Sequence, residues 1–203
     1  MTKIYSTLLL DVDGVLMDFL GHSLKWHDRM DMYEFYPRGV WDIPTVLGLS
    51  ATEFWKKIDN EQFWSTLPVY PGADAFLDQL FHTMSSIRTS VVFCTRSAFN
   101  VGAFAGARAI AMRKLCAEAR IDGELPLYIS AKGGKGVFAQ PGHLLVDDYE
   151  ENVREFRESD GDAILVPTPW NTLPGCEPDD CEVYMEGPDY RWLLNKIYST
   201  MGV

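Results

Sequence analysis

The sequence predicts an α/β fold: a Rossmann-like parallel sheet with helices on both faces and a small helical cap inserted after the first strand. Three observations carry that expectation. Short apolar runs at residues 8–10, 89–94, 127–129, 143–146 and 163–166 have the length and Leu/Val/Ile content of strands covered on both faces. Stretches with helical spacing separate the later runs, the alternation that makes parallel sheets with right-handed crossovers. Residues 17–69 have a different texture, rich in rings and free of β-branched runs.

In chain order, Leu8-Leu9-Leu10 forms the first strand and stops at Asp11-Val12-Asp13-Gly14, where glycine lets the backbone turn sharply. The following segment holds His22, Trp26, His27, Tyr33, Phe35, Tyr36, Trp41, Phe54, Trp55, Phe63 and Trp64, mostly as core packing of short helices. Within it, Ser50-Ala51-Thr52-Glu53 fits a capping box, and Phe54 and Ile58 lie one helical turn apart. Pro71-Gly72 marks the return, giving a core of residues 1–16 and 70–203 and a cap of 17–69. Ala73, Phe76, Leu77, Leu80, Phe81 and Met84 follow helical spacing. A second strand over 89–94 ends at Thr95-Arg96-Ser97, and the Ala-rich stretch 98–119 suits a helix. After a short strand at 127–129, Lys132-Gly133-Gly134-Lys135-Gly136 reads as a flexible basic loop. The strand 143–146 ends in Asp147-Asp148. A helix over 150–158 turns Val153 and Phe156 inward, and a last strand stops at Pro167. Residues 168–188 read as loop, and a terminal helix turns Leu193, Leu194 and Ile197 inward.

Composition narrows the function. The chain has 203 residues, 47% of them hydrophobic, with a formal net charge of −11. Such an acidic surface disfavours a nucleic-acid polymer as partner, while a small anion can still enter a locally positive pocket. Cys94, Cys116, Cys176 and Cys181 show no paired metal-binding spacing and read as reduced thiols. His22, His27, His82 and His143 are scattered, without ligand spacing. No run reaches transmembrane length and no apolar leader opens the chain, so the expectation is a soluble cytoplasmic protein with no membrane partner. The reading leaves room for a homodimer.

The chemistry lies at the strand ends. The first strand delivers Asp11 and Asp13, the second Thr95, the fourth Asp147 and Asp148, with Lys132 and Lys135 between the second and fourth. Carboxyl ends of parallel strands share one rim, where open α/β sheets place ligands. Carboxylates this close need a cation or a shared proton, and oxygen-only ligands favour Mg²⁺. A lysine and a hydroxyl beside Mg²⁺ make a site for a phosphoryl group. Gly-Gly-Lys-Gly is not a phosphate-binding Walker loop, because it precedes a strand and no Ser or Thr follows the lysine.

The ordered set Asp-x-Asp-Gly-Val, strand-Thr, Lys and strand-Asp-Asp resembles the haloacid dehalogenase superfamily of aspartyl-phosphate phosphatases. Within it, the run Asp11 to Phe19, the small cap before Pro71-Gly72 and Leu144-Leu145-Val146-Asp147-Asp148 are most similar to the 5′(3′)-deoxyribonucleotidase family. Asn152 and Pro169-Trp170-Asn171 resemble its bacterial and phage-like members. The resemblance implies that Asp11 is the nucleophile and Asp13 the general acid/base. It implies Mg²⁺ held by Asp11, the Asp13 carbonyl and Asp147, with Asp148 orienting a metal-bound water or Lys135 from behind. It assigns Thr95 and Lys135 to the phosphate. Two features depart from or complicate that pattern. Arg96 stands where the mammalian-type pattern has serine, and either contacts phosphate or points to solvent. Lys132 competes with Lys135, although Lys135 fits the spacing to Asp147 better.

The function expected on this basis is a Mg²⁺-dependent phosphatase for 5′- or 3′-(deoxy)nucleoside monophosphates. Phe19, Trp41, Phe54 and Trp64 are the rings on which a base would stack. A sugar-phosphate or other small-metabolite phosphatase is the alternative, and a non-catalytic ligand-binding protein of the same fold is a third.

Overall fold

The computed structural model describes residues 4–98, 101–123, 125–130, 134–172, 178 and 181–203, without the side chains of Val101 and Ala103. Five parallel strands, β1 (Thr7–Leu10), β2 (Ser90–Arg96), β3 (Leu127–Ser130), β4 (His143–Asp147) and β5 (Asp162–Leu165), lie in the order β3-β2-β1-β4-β5. The chain builds outward from β1 on one side, then crosses to β4 and β5 on the other. The crevice at the carboxyl end of β1 is therefore the topological switch point, where such sheets bind ligands. Leu10 pairs with both Phe93 and Val146, which brings the ends of three strands level around Asp11.

The sheet is covered on both faces, as its uninterrupted apolar strands require. Leu8, Leu10, Phe93 and Val146 share a core with Phe76 and Leu80 of helix α5 (Ala73–Ser86) and Leu193 and Ile197 of α8 (Tyr190–Met201). Leu9, Cys94 and Leu145, one residue out of phase, pack on Val153 and Phe156 of α7 (Glu150–Glu158). This is the period-two alternation of a strand. Helix α6 (Val101–Glu118) joins β2 to β3 and contributes Phe104, Met112 and Leu115 to the larger core.

Between β1 and α5 lie four short helices, α1 (Phe19–Trp26), α2 (Ile43–Val46), α3 (Ala51–Ile58) and α4 (Glu61–Ser65), with a 3₁₀ turn at Met30–Met32. Asp18 caps α1 and Asn60 caps α4. The capping box at α3 is present: the Glu53 amide donates to Ser50 Oγ (3.2 Å), and the Ser50 amide donates to Glu53 Oε2 (2.9 Å). The segment leaves and rejoins the sheet at one place, where Met17 bridges Val69 and the Asp18 amide donates to the Pro68 carbonyl (2.9 Å).

Two sequence expectations are corrected. Strand β2 continues through Thr95 and Arg96 rather than stopping before them. Lys135 does not sit in an open loop: it begins a 3₁₀ turn, Lys135–Phe138, and is only 1% exposed. Ser130 Oγ donates to the Gly134 carbonyl (3.1 Å), closing the loop's two ends together. Glu155 of α7 lies over Gly134, where a Cβ would displace its carboxylate. Lys132 and Cys176 lie outside the described residues. Among the described residues no helix is long and apolar enough to cross a membrane.

Candidate active site

Asp11 follows β1 directly, and its amide donates to the Val146 carbonyl of β4 (2.9 Å). That bond extends the ladder by one residue and fixes the carboxylate over the switch point. Its Oδ1 accepts from the Val12 amide (2.7 Å) and lies 2.5 Å from Lys135 Nζ. The same ammonium is 2.7 Å from Asp147 Oδ2. Burial alone would lower the Lys135 ammonium, but Asp11 and Asp147 outweigh it and push it up, so the lysine stays charged.

Asp11, Asp147 and Asp148 are all buried and place carboxylate oxygens within 4.8 Å of one another. Burial, then Asp147, pushes the Asp11 carboxyl up to about 8 against the pull of Lys135. Burial, then Asp11 and Asp147, holds Asp148 well above the usual carboxylate range. Crowded, desolvated carboxyls keep protons when no cation balances them.

The two adjacent aspartates stand in different surroundings. Asp147 is fully engaged: Oδ1 accepts from the Tyr149 amide (2.8 Å), Oδ2 from Lys135, and Asn152 Nδ2 reaches both oxygens at 3.2 Å. Asp148 accepts one bond, from Trp170 Nε1 to Oδ2 (2.7 Å), while its buried Oδ1 has no partner. Gly14, at φ +79°, admits this carboxylate, because a Cβ there would lie 2.1 Å from Asp148 Oδ2. An unpartnered buried oxygen beside Asp11, in an all-oxygen set, fits a hard divalent cation. Asp147 belongs to the same three-carboxylate cluster and is also bonded to Lys135.

Asp13 is half-buried. Thr95 Oγ1 donates to its Oδ2 (3.4 Å), and the Arg108 guanidinium pairs with its Oδ1. Arg108 is fully buried on α6, with its guanidinium 5.0 Å from the Trp64 ring and 5.2 Å from the Phe104 ring. Sequence reading missed it. The available signal was its place on the buried stripe Phe104, Arg108, Met112, Leu115, where a charge is expected only if paired. With Lys135 it sets two cations against the four carboxylates of Asp11, Asp13, Asp147 and Asp148, so one divalent cation would bring the site to neutrality.

Arg96 is exposed as the last residue of β2, at the rim of strand ends. Of the four candidate rings, Trp41 is 37% exposed, stacks on Tyr149 (5.0 Å) and lies tilted against Trp170 (6.0 Å), beside Asp148. Phe19 is half-buried and stacks on Trp64 (5.9 Å, 13°). Phe54 and Trp64 are corrected: both are buried, Phe54 against His27 (4.8 Å) and Trp64 beneath Phe19, so neither offers an open face to a base.

No family model matches the sequence, and no curated protein matches it either. Solved structures do match. The magnesium-bound HAD-hydrolase YfnB from Bacillus subtilis superposes with a TM-score of 0.55 at 14% identity, over 99% of this chain and 100% of that one. The haloacid dehalogenase-like hydrolase SP0104 from Streptococcus pneumoniae gives 0.52 at 13%, over 97% and 100%. The fold is that of the haloacid dehalogenase-like hydrolases. A dehalogenase with an intermediate complex, at TM-score 0.52 and 10% identity over the whole of both chains, has the same fold.

Proposed function

We propose that the chain is a Mg²⁺-dependent phosphomonoester hydrolase acting through an aspartyl-phosphate, with a 5′- or 3′-(deoxy)nucleoside monophosphate as substrate. The observation that carries the reading is the surroundings of Asp11: a buried carboxylate at the switch point, with an ammonium at 2.5 Å and an unpartnered Asp148 oxygen beside it. Asp11, the Asp13 carbonyl and Asp148 would hold Mg²⁺, which supplies charge to draw and polarise the phosphoryl oxygens.

An Asp11 oxygen attacks phosphorus, the ester P–O bond breaks, and the Asp13 carboxyl gives its proton to the leaving alkoxide. The resulting Asp13 carboxylate then takes a proton from water. That water's oxygen bonds to phosphorus, the Asp11–phosphorus bond breaks, and inorganic phosphate leaves. Thr95 Oγ1 contacts a phosphoryl oxygen, and Lys135, aimed by Asp147, offsets the charge that builds on the phosphoryl group. Arg108 and Thr95 hold Asp13 in one orientation through its two oxygens. Arg108→Met should lower kcat about tenfold with little loss of Tm, because methionine fills the slot between Trp64 and Phe104 and Asp13 can still reach water. A kcat equal to wild type would remove Arg108 from the mechanism.

Substrate choice falls to the residue 17–69 segment, since the phosphoryl site is common to all monoesters. Of the four candidate rings, Phe19 and Trp41 keep free surface, and stacking is worth roughly 1–3 kcal/mol per base. A small-metabolite phosphatase is the second reading, favoured by the burial of Phe54 and Trp64, which halves the stacking surface. The deciding measurement is a phosphomonoester panel assayed with Mg²⁺ and with EDTA. EDTA should abolish turnover, and nucleoside monophosphates should exceed ribose 5-phosphate and glucose 6-phosphate in kcat/KM by about tenfold or more. Trp41→Ala should erase most of that margin. Equal turnover of sugar phosphates selects the second reading, and full activity in EDTA removes the metal.

A further inference from the structure

Asp148 is held at two points, its carboxylate and its carbonyl, by a single short strap, residues 168–171. Trp170 Nε1 donates to Asp148 Oδ2 (2.7 Å). Asn171 Nδ2 donates to the Asp148 carbonyl (2.6 Å) and to the Val166 carbonyl (2.8 Å). The Thr168 amide donates to Asn171 Oδ1 (2.9 Å), so the strap also fixes the side chain that fixes Asp148. With Oδ2 accepting from the indole, Oδ1 is the oxygen left without a partner and turned toward a cation. The strap is in turn tied to the helical segment inserted after β1. The Gly39 amide donates to the Pro169 carbonyl (2.9 Å), and the Trp41 ring lies against Trp170 (6.0 Å) and Tyr149 (5.0 Å).

We infer that Trp170 is the positioning residue for Asp148, and that Trp41, through Trp170, makes cation affinity depend on how residues 38–41 sit on the strap. The inference rests on the reading that Asp11 and Asp148 hold Mg²⁺. A cation that needs Asp148 in this orientation gains from every contact that keeps Trp170 in place. By linkage it returns the same free energy to the docking of residues 38–41. Partners that orient a metal ligand from behind change metal affinity by roughly 10–100-fold when removed.

The test is calorimetric titration of Mg²⁺ into the full chain and into Trp170→Phe, Trp41→Ala and the double variant, with Tm in EDTA recorded for each. Trp170→Phe keeps a ring for Trp41 and removes only the N–H donor; its Kd for Mg²⁺ should rise about tenfold. Trp41→Ala should raise Kd about fivefold in the wild-type background and leave it unchanged in Trp170→Phe, since the path runs through the indole. A Kd in folded Trp170→Phe equal to wild type overturns the positioning role. Additive effects of the two substitutions overturn the path from Trp41. Because Trp41 is partly exposed, Trp41→Ala folds even where Trp170→Phe does not, and an unchanged Kd there overturns the linkage. A wild-type chain that takes up no Mg²⁺ overturns the inference together with the metal site, which separates that failure from the others.

Discussion

Asp11→Asn is expected to lower kcat by about 10⁴-fold or more while the circular dichroism spectrum and Tm stay close to wild type. The side chains are nearly isosteric, but an amide oxygen is a poor nucleophile and cannot form the acyl phosphate, so the two-step route closes. Structure should survive because Asp11 is not the sole partner of its neighbours. Lys135 keeps Asp147 at 2.7 Å, and the Val12 amide keeps an acceptor in the asparagine carbonyl. The Asp11 amide still donates to the Val146 carbonyl, so the strand end does not move. Acid-quenched wild-type enzyme should carry a phosphoryl group on Asp11 and the variant none. A variant that keeps kcat within tenfold of wild type would show that another group attacks phosphorus.

Much of this arrangement was legible in the sequence because its causes are local. An apolar run that ends at once in Asp-x-Asp-Gly reads as a buried strand with carboxylates at its carboxyl end, and parallel order brings the other strand ends to the same rim. Thr95 and Asp147 follow from the same reasoning, as does the capping box at Ser50 and Glu53. What sequence pattern missed depends on residues far away in the chain. Lys135 read as part of a flexible loop because glycines flank it; in the structure the Ser130–Gly134 bond joins the loop's ends and the ammonium is buried between Asp11 and Asp147. Asp147 and Asp148 are neighbours, and nothing between them tells which oxygen is left free. That is decided by Trp170, 22 residues on, and by the missing Cβ of Gly14. Trp64 and Phe54 read as rings for a base because composition counts aromatics without showing which are packed inside. Arg108 was lost in an alanine-rich helix whose content was read but whose buried stripe was not.

Lys135→Ala should damage both stability and turnover, and the two losses should respond differently to pH. The ammonium is 1% exposed and lies between Asp11 and Asp147 at 2.5 and 2.7 Å. Removing it leaves Asp147, and Asp11 wherever that carboxyl is ionised, without a countercharge; stranding a buried charge in this way costs about 3–5 kcal/mol. In the phosphoryl-transfer step it removes one preorganised charge, worth about 10²–10³ in kcat. Lys135 is one of the causes that hold the Asp11 carboxyl down to about 8, so its loss moves that carboxyl further up. A carboxyl raised in the folded state favours the fold while protonated, and that stability is lost as pH rises through the folded value. The Tm deficit of metal-free Lys135→Ala against wild type should therefore be small near pH 5 and grow between about pH 7 and 9. The kcat deficit, measured with saturating Mg²⁺, should persist at every pH at which the variant is folded. Lys132→Ala should change kcat by less than about tenfold. A Tm deficit that is the same at both ends of the range would mean that Lys135 does not compensate Asp11, and a larger kcat loss in Lys132→Ala would move the phosphate contact to that residue.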